Sequence, residues 1–271
     1  MLKASKMARL LRQVAVGAIV TPCLLLGVGC NRETVGSDAS NNTVSPYNQV
    51  SQSVYTMGAD KGGLRVLFVG NSMALHGPCE PIGWNNNWGM AASALEKDYI
   101  HVCMDRIRQT HPDAAFALCS ASTWEANYRT VDEAMLEEYA AAREFDADII
   151  VVRIVENCDN SQFTEEDKEI FVSQLEKLVN YLNADGEAEV MLTTGFWDHL
   201  ADTGLIAYAL KHGCPWVDLN DLGYQDQYKA LGEYEHTGVC LHPNDAGMEA
   251  IATRICVTME QMPAFQVKEE E

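Results

Sequence analysis

Three polar stretches of the chain carry the residue types that activate a nucleophile and stabilise the charge it creates. Ser72 follows the apolar run of "LFVGNSMALHGP", Asn157 follows that of "RIVENCDN", and His242 precedes the helical pattern of "LHPNDAGMEAIATRI". A serine hydroxyl is barely ionised at neutral pH and needs a base, which histidine supplies. An amide can donate to an oxyanion, a contact worth roughly 3–4 kcal/mol in a serine hydrolase. Each stretch alone also fits a turn or a helix cap, so the hypothesis depends on their shared placement at element ends.

The elements that must position these residues alternate along the chain. The apolar runs "LRVLFVG", "AAFALCSA", "ADIIVVRIV", "AEVMLTTGFW" and "PWVDLN" each predict a strand. Segments with helical spacing lie between them, and the longest begins with a capping box formed by Thr164 and Asp167. This alternation predicts an α/β fold, with a mostly parallel five-stranded sheet covered by helices on both faces. Ser72 would then lie at the carboxyl end of a parallel strand, where open α/β sheets bind ligands.

The polar stretches resemble the SGNH (GDSL-like) hydrolase superfamily over about residues 64–262: "GNS" follows the first strand, "EN" the third, and "HPND" precedes the final helix. The resemblance implies a three-layer α/β/α fold of the flavodoxin-like SGNH type and an ester-hydrolysing serine, without metal or cofactor. By matching position, Ser72 is the nucleophile, His242 the base and Asn157 an oxyanion donor.

The sequence departs from the family pattern around the expected oxyanion site. Ala121 and Ser122 stand where the second block supplies a glycine N–H, and Val155 replaces the glycine usual two residues before Asn157. A backbone N–H survives any side chain except proline, so Ala121 or Ser122 still qualifies as a donor. These departures leave room for a member that binds without catalysis.

The acid that orients the histidine is also missing from its usual place. The family commonly has an aspartate three residues before the histidine, where this chain has Val239. Glu233 and Glu235 lie upstream, and Glu156 stands beside Asn157, as candidates for an orienting or oxyanion-site role. An orienting group must accept the imidazole N–H opposite the serine. We expect a Ser72–His242 dyad with a backbone carbonyl, or a distant carboxylate, in the third place.

Aromatic residues follow the same strands. Trp84 and Trp88 flank "NNN" in the loop after Ser72, and Trp197 follows the fourth strand. We expect these three to line a substrate site, since sugar rings and acyl groups pack on such surfaces; packing in the core is the alternative, and is expected for Phe196. By family analogy the substrate is an ester, an O-acyl group on carbohydrate. The rival functions are an O-acyltransferase with the same residues and a non-catalytic glycan-binding module.

The N-terminal sequence predicts export. Basic residues precede the apolar stretch "VAVGAIVTPCLLLGVG", a pattern typical of a signal peptide over residues 1–29. "LLLGVGC" resembles a bacterial lipobox, which predicts lipidation of Cys30 and anchoring to the membrane of the bacterial cell envelope; cleavage that leaves Cys30 unmodified is the alternative. Polar residues 30–62 predict a flexible tether. A hydrolase domain over 63–263 and an acidic tail over 264–271 complete the predicted organisation.

The net charge and the cysteine content of the chain limit which partners and which metal or redox sites are expected. Four of the 19 basic residues and none of the 39 acidic ones lie in the signal segment, so 15 basic residues remain and the mature chain has a net charge of −24. Such a charge argues against nucleic acid as a partner. Seven cysteines lie beyond residue 30, so disulfides are feasible but one thiol at least stays unpaired. No CxxC pair occurs, so we expect no zinc or redox site.

Overall fold

The structure, a computed structural model, describes residues 47–58 and 60–266. The predicted signal peptide, Cys30 and the first part of the predicted tether lie outside the described residues. Among the residues described, no helix is long and apolar enough to cross a membrane.

The fold is α/β and is built on one mixed sheet of seven strands in the order β1-β2-β4-β3-β5-β6-β7. The strands β3 to β7 pair in parallel, whereas β1 and β2 join the sheet antiparallel through β4. The strands are β1 (Tyr47–Gln49), β2 (Val54–Met57), β3 (Arg65–Gly70), β4 (Ala115–Ser120), β5 (Ile149–Val152), β6 (Glu189–Thr193) and β7 (Trp216–Val217).

Helices connect the parallel strands. Within the described ranges they are α1 (Tyr99–Thr110), α2 (Ser122–Asn127), α3 (Glu133–Glu137), α4 (Ala140–Glu144), α5 (Glu165–Leu182), α6 (Asp202–His212), α7 (Asn220–Gly223), α8 (Thr237–Cys240) and α9 (Asp245–Met259). The predicted capping box of α5 is confirmed: Thr164 accepts from the Asp167 N–H, and the Asp167 side chain accepts from the Thr164 N–H. Asn244 caps α9 by accepting from the Gly247 N–H.

Two hydrophobic cores lie on opposite faces of the sheet. Alternate residues of β3 point to opposite faces, so Phe68 packs with α1 and α9, whereas Leu67 and Val69 pack with α5 and α6. Burial on both faces accounts for the nearly continuous apolar runs of the parallel strands. Their carboxyl ends meet at one edge of the sheet, which is where the polar stretches begin.

The expected five-stranded sheet is wrong in strand number. All five predicted runs form strands, but residues 47–57, which were expected to belong to the tether, add β1 and β2. Tyr47, Val54 and Met57 are buried, so the folded unit begins well before residue 63. At the other end, Phe265 is buried against the ring of His111, so the predicted acidic tail does not begin at 264.

Candidate active site

Ser72 lies in a tight turn directly after β3. The carbonyl of Asn71 accepts from the N–H groups of Ala74 and Leu75, at 2.9 and 3.1 Å, which turns the chain sharply at the end of the strand. The last residue of β3, Gly70, leaves no room for a side chain, because a Cβ there would lie 2.8 Å from the Ala74 Cβ. Asn71 is buried and Ser72 is half-buried, so the turn holds the serine hydroxyl at the sheet edge.

His242 is brought to Ser72 from the other end of the chain. The Ser72 Oγ lies 2.9 Å from the His242 Nε2. The His242 Nδ1 lies 2.7 Å from the carbonyl oxygen of Gly238, on the short helix α8. A carbonyl only accepts, so Nδ1 carries the proton and Nε2 offers its lone pair to the serine hydroxyl. The arrangement is a serine–histidine pair whose third member is a backbone carbonyl.

The surroundings of His242 keep its imidazole neutral. Burial lowers the pKa of His242 to about 4, although the hydrogen bond to Gly238 opposes this shift. The Trp197 ring packs nearly perpendicular to the imidazole, with ring centroids 5.2 Å apart. A neutral imidazole is the form that accepts a proton, so His242 is in its basic form over the whole neutral range.

Asn157 is fixed close to the serine turn. Its Nδ2 donates to Glu125 Oε2 at 2.6 Å, while the Nδ2 of Asn71 donates to Oε1 of the same carboxylate at 3.0 Å. One carboxyl group thus links Asn157 to the residue that precedes Ser72. An amide nitrogen has two N–H groups, and the contact with Glu125 uses one of them, which leaves the other for a ligand.

Backbone N–H groups are the other donors available at this edge of the sheet. In the described part of the chain, the N–H groups of Ser72 and Ser122 donate no hydrogen bond. The Ala121 N–H donates to the carbonyl of Gly70 at 2.8 Å. Ala121 is therefore ruled out as an oxyanion donor, because its N–H completes the sheet edge, and Ser122 is the remaining candidate of the pair.

The carboxylates expected to orient His242 do not contact it. Glu233 and Glu235 are exposed, and neither has a hydrogen bond or ion pair to the imidazole. Glu156 accepts from the Asn71 Nδ2 at 2.7 Å and forms a buried ion pair with Arg153 at 2.5 Å. An ionised carboxylate has no proton to donate to an oxyanion, so Glu156 is not an oxyanion donor. It does not orient His242 either, and its contacts support the serine turn instead.

Trp84 does not line an open surface. It is fully buried, and its Nε1 donates to the carbonyl of His76 at 2.9 Å. The half-buried Trp88 donates to the carbonyl of Ala92 at 2.8 Å and packs edge-on against Trp84. The loop after Ser72 folds back on itself and turns both indoles inward, so Trp197 is the predicted aromatic residue that contacts the site.

Sequence reasoning missed the buried polar residues beneath Ser72. Glu125 and Arg153 are fully buried, and together with Asn71, Glu156 and Asn157 they form one hydrogen-bonded network. A charged residue inside the strand run "ADIIVVRIV" was the available signal, since buried arginine is rare unless it is paired. The described residues contain no cluster of three or more side chains that could hold a metal ion, and their seven cysteines form no disulfide.

Comparison with known proteins adds little to this geometry. No protein-family model matches the chain, and no curated protein is significantly similar to it. A protein of known structure from Bacillus subtilis is 15% identical with a TM-score of 0.45; the match covers 73% of this chain and 56% of that protein. One from Lactobacillus plantarum is 14% identical with a TM-score of 0.42, over 73% of this chain and 97% of its own.

Proposed function

We propose that the protein is a serine esterase of the SGNH type that hydrolyses its substrate through an acyl-serine intermediate. The observation that carries this proposal is the pair formed by Ser72 and His242, with 2.9 Å between Oγ and Nε2 and the opposite ring nitrogen held by the Gly238 carbonyl. A nucleophile within hydrogen-bond reach of a base, which is itself oriented by a third group, is the arrangement that activates a serine.

The first half of the reaction forms the acyl-enzyme. The Ser72 Oγ attacks the ester carbonyl carbon and passes its proton to the His242 Nε2. The developing oxyanion accepts from the N–H groups of Ser72 and Ser122 and from the side chain of Asn157, which stabilise it more than the ground-state carbonyl. The carbon–oxygen bond to the leaving group then breaks, and the alcohol departs with the proton from His242.

Water completes the cycle in the second half. His242 removes a proton from a water molecule, whose oxygen attacks the acyl carbon on Ser72. The same donors hold the second oxyanion. The bond to the Ser72 Oγ breaks, the serine regains its proton from His242, and the carboxylic acid leaves. No step requires a metal or cofactor.

Fold and sequence support the SGNH assignment together. The five parallel strands in the order β4-β3-β5-β6-β7 provide a sheet edge at which the serine follows β3 and the asparagine follows β5. The order of "GNS", "EN" and "HPND" along the chain is the one that the resemblance requires. The substrate class we propose is an O-acylated carbohydrate, since Trp197 offers a half-buried aromatic face beside His242.

The two alternative functions, a glycan-binding module and an O-acyltransferase, can be distinguished from an esterase. The hypothesis of a non-catalytic glycan-binding module required Trp84 and Trp88 to line an exposed binding surface. The burial of Trp84 weakens this hypothesis. An acyltransferase would form the same acyl-serine and pass it to a carbohydrate hydroxyl. Product analysis with an added carbohydrate acceptor distinguishes the two enzymes, because only a transferase yields the new ester.

Replacement of Ser72 tests the proposal directly. We expect the purified domain to hydrolyse a short-chain aryl ester and to react with a fluorophosphonate probe, and Ser72→Ala to lose both. The fold should survive, since removing one half-buried hydroxyl costs little stability. Ser173→Ala, at an exposed position of α5, is the matched control and should keep full activity. Full activity in Ser72→Ala would rule out the assignment.

A further inference from the structure

The carboxylate of Glu125 is the centre of the buried network beneath the serine turn. Glu125 lies on α2 and is fully buried. It accepts from the Val155 N–H at 2.7 Å, from the Asn157 Nδ2 at 2.6 Å and from the Asn71 Nδ2 at 3.0 Å. Every one of these three partners is a donor, so the site requires a side chain that only accepts.

This requirement fixes the orientation of the Asn157 amide. An amide can present either its nitrogen or its oxygen to a neighbour, and an ionised carboxylate accepts only the nitrogen. With Nδ2 held by Glu125, the carbonyl oxygen of the Asn157 side chain must point elsewhere, and the amide cannot turn over without breaking the 2.6 Å contact. A neutral partner that carried its own N–H would stabilise the reversed amide.

We propose that Glu125 is a positioning residue, whose ionised carboxylate holds the Asn157 amide ready to donate to the oxyanion and holds the backbone of Val155 in its unusual conformation. Val155 has a φ of +143°, which favours glycine, and its N–H is bound to the Glu125 carboxylate. The proposal rests on the esterase function argued above, and it assigns a role to a residue that has no counterpart in the resemblance.

The charges around Glu125 decide when it is ionised. Burial, and then the neighbouring Glu156, raise the pKa of Glu125 to about 7, against the three hydrogen bonds that favour the carboxylate. Although Glu156 is buried, its ion pair with Arg153 lowers its pKa, so Glu156 is the carboxylate of the two that stays ionised more readily. Tyr139 and Cys158 also face Glu125, and burial raises the pKa of each, which keeps both neutral.

Protonation of Glu125 should therefore release the amide. A carboxylic acid carries an O–H that needs an acceptor, and the three partners of Glu125 offer only N–H groups. Asn157 can satisfy this O–H by turning over, which removes its N–H from the oxyanion site. Since the pKa of His242 lies at about 4, protonation of the base falls in a separate and lower pH range.

A double-mutant cycle tests whether Glu125 acts through Asn157. We expect Glu125→Gln and Asn157→Ala each to lower kcat for an aryl ester by about 10²-fold, the size typical of one lost oxyanion donor. The double variant should be within about threefold of Asn157→Ala, because residues acting as a unit are not additive. Glu133→Gln, an exposed glutamate on α3, is the control. Multiplying effects would overturn the proposal.

The pH dependence of kcat/KM distinguishes a positioning role of Glu125 from a merely structural one, because a structural residue would not change it. The wild-type kcat/KM should fall as pH drops through about 7, the pKa of Glu125. Glu125→Gln should be slower but level between about pH 8 and pH 5, because its side chain does not titrate and His242 titrates lower. A wild-type profile that stays level over this range would contradict the release of the Asn157 amide by protonation of Glu125.

A measurement on the wild-type protein covers the case in which Glu125→Gln fails to fold. The side-chain amide resonances of Asn157 in a ¹⁵N-edited NMR spectrum should titrate with a midpoint near pH 7. Resonances that stay unchanged between about pH 8 and pH 5 would overturn the release of the amide by protonation of Glu125, and the double-mutant cycle would then decide the positioning role. Because this experiment needs no turnover, an amide that titrates in a protein without esterase activity would refute the proposed function alone.

Discussion

At the residue scale, the third member beside Ser72 and His242 is neutral. The Gly238 carbonyl fixes the tautomer of the imidazole, but it supplies no negative charge to stabilise an imidazolium. This is consistent with a His242 whose burial outweighs its hydrogen bond and whose pKa lies at about 4. The base is therefore correctly oriented and weak, so in the proposed mechanism catalysis depends strongly on the donors that hold the oxyanion.

Substitution of the upstream glutamates distinguishes this dyad from a triad. Glu233→Gln and Glu235→Gln should each keep the ester-hydrolysis rate within about twofold, because both side chains are exposed and away from His242. His242→Ala should lose most of the activity. Steady-state kinetics on the three variants measures the contrast. Losing the acid of a true triad costs about 10⁴ in rate, and a loss of that size in either glutamine variant would refute the dyad.

At the element scale, the connection after β5 stores backbone strain next to the site. Val155 adopts a φ of +143° while its side chain is completely buried. Such a conformation costs about 1–3 kcal/mol for a residue other than glycine. The hydrogen bonds from the Val155 N–H to Glu125 and from the Cys158 N–H to the Val155 carbonyl hold it. The SGNH pattern that the sequence resembles has glycine at this position, and glycine carries no such cost.

Val155→Gly should consequently be far less destabilising than its burial suggests. Loss of a buried valine side chain costs roughly 1.5–3 kcal/mol, and relief of the strain offsets much of this. Val152→Gly, at an equally buried position within β5, gains no such relief and serves as the control. Urea unfolding should show Val155→Gly as the more stable variant by about 1–3 kcal/mol. Equal losses in the two variants would show that the backbone is not strained.

At the scale of the whole molecule, the sequence predicts a folded domain held to the cell envelope by a lipid on Cys30. The mature chain has a net charge of −24, so the domain itself should not adhere to anionic lipid. We expect Cys30→Ser to move the protein from the membrane fraction to the soluble fraction, as seen by fractionation and immunoblotting. Cys79→Ser, within the folded domain, should leave the distribution unchanged. Cys30→Ser protein that stays with the membrane would contradict lipidation.

The sequence by itself determined the features that depend on local patterns. The five apolar runs became the parallel strands, and the capping box of Thr164 and Asp167 began α5. The closeness of the Ser72 turn and Asn157 follows from this order, because one follows β3, the other follows β5, and the ends of parallel strands meet at one edge of a sheet. Residues at those ends become neighbours whatever their separation in the chain.

Only the tertiary structure decided the contacts that no local pattern encodes. The strands β1 and β2 are three and four residues long, too short to show a period of hydrophobic residues. They form because β2 pairs with the edge of β4 and β1 pairs with β2. Trp84 lies in a polar stretch and is nonetheless buried where the loop folds back. Glu125 acquires its role from partners that lie 30 or more residues away in the chain. The Gly238 carbonyl acquires its role from His242, four residues away. A backbone carbonyl is present at every residue, so only its placement in space makes it part of a site.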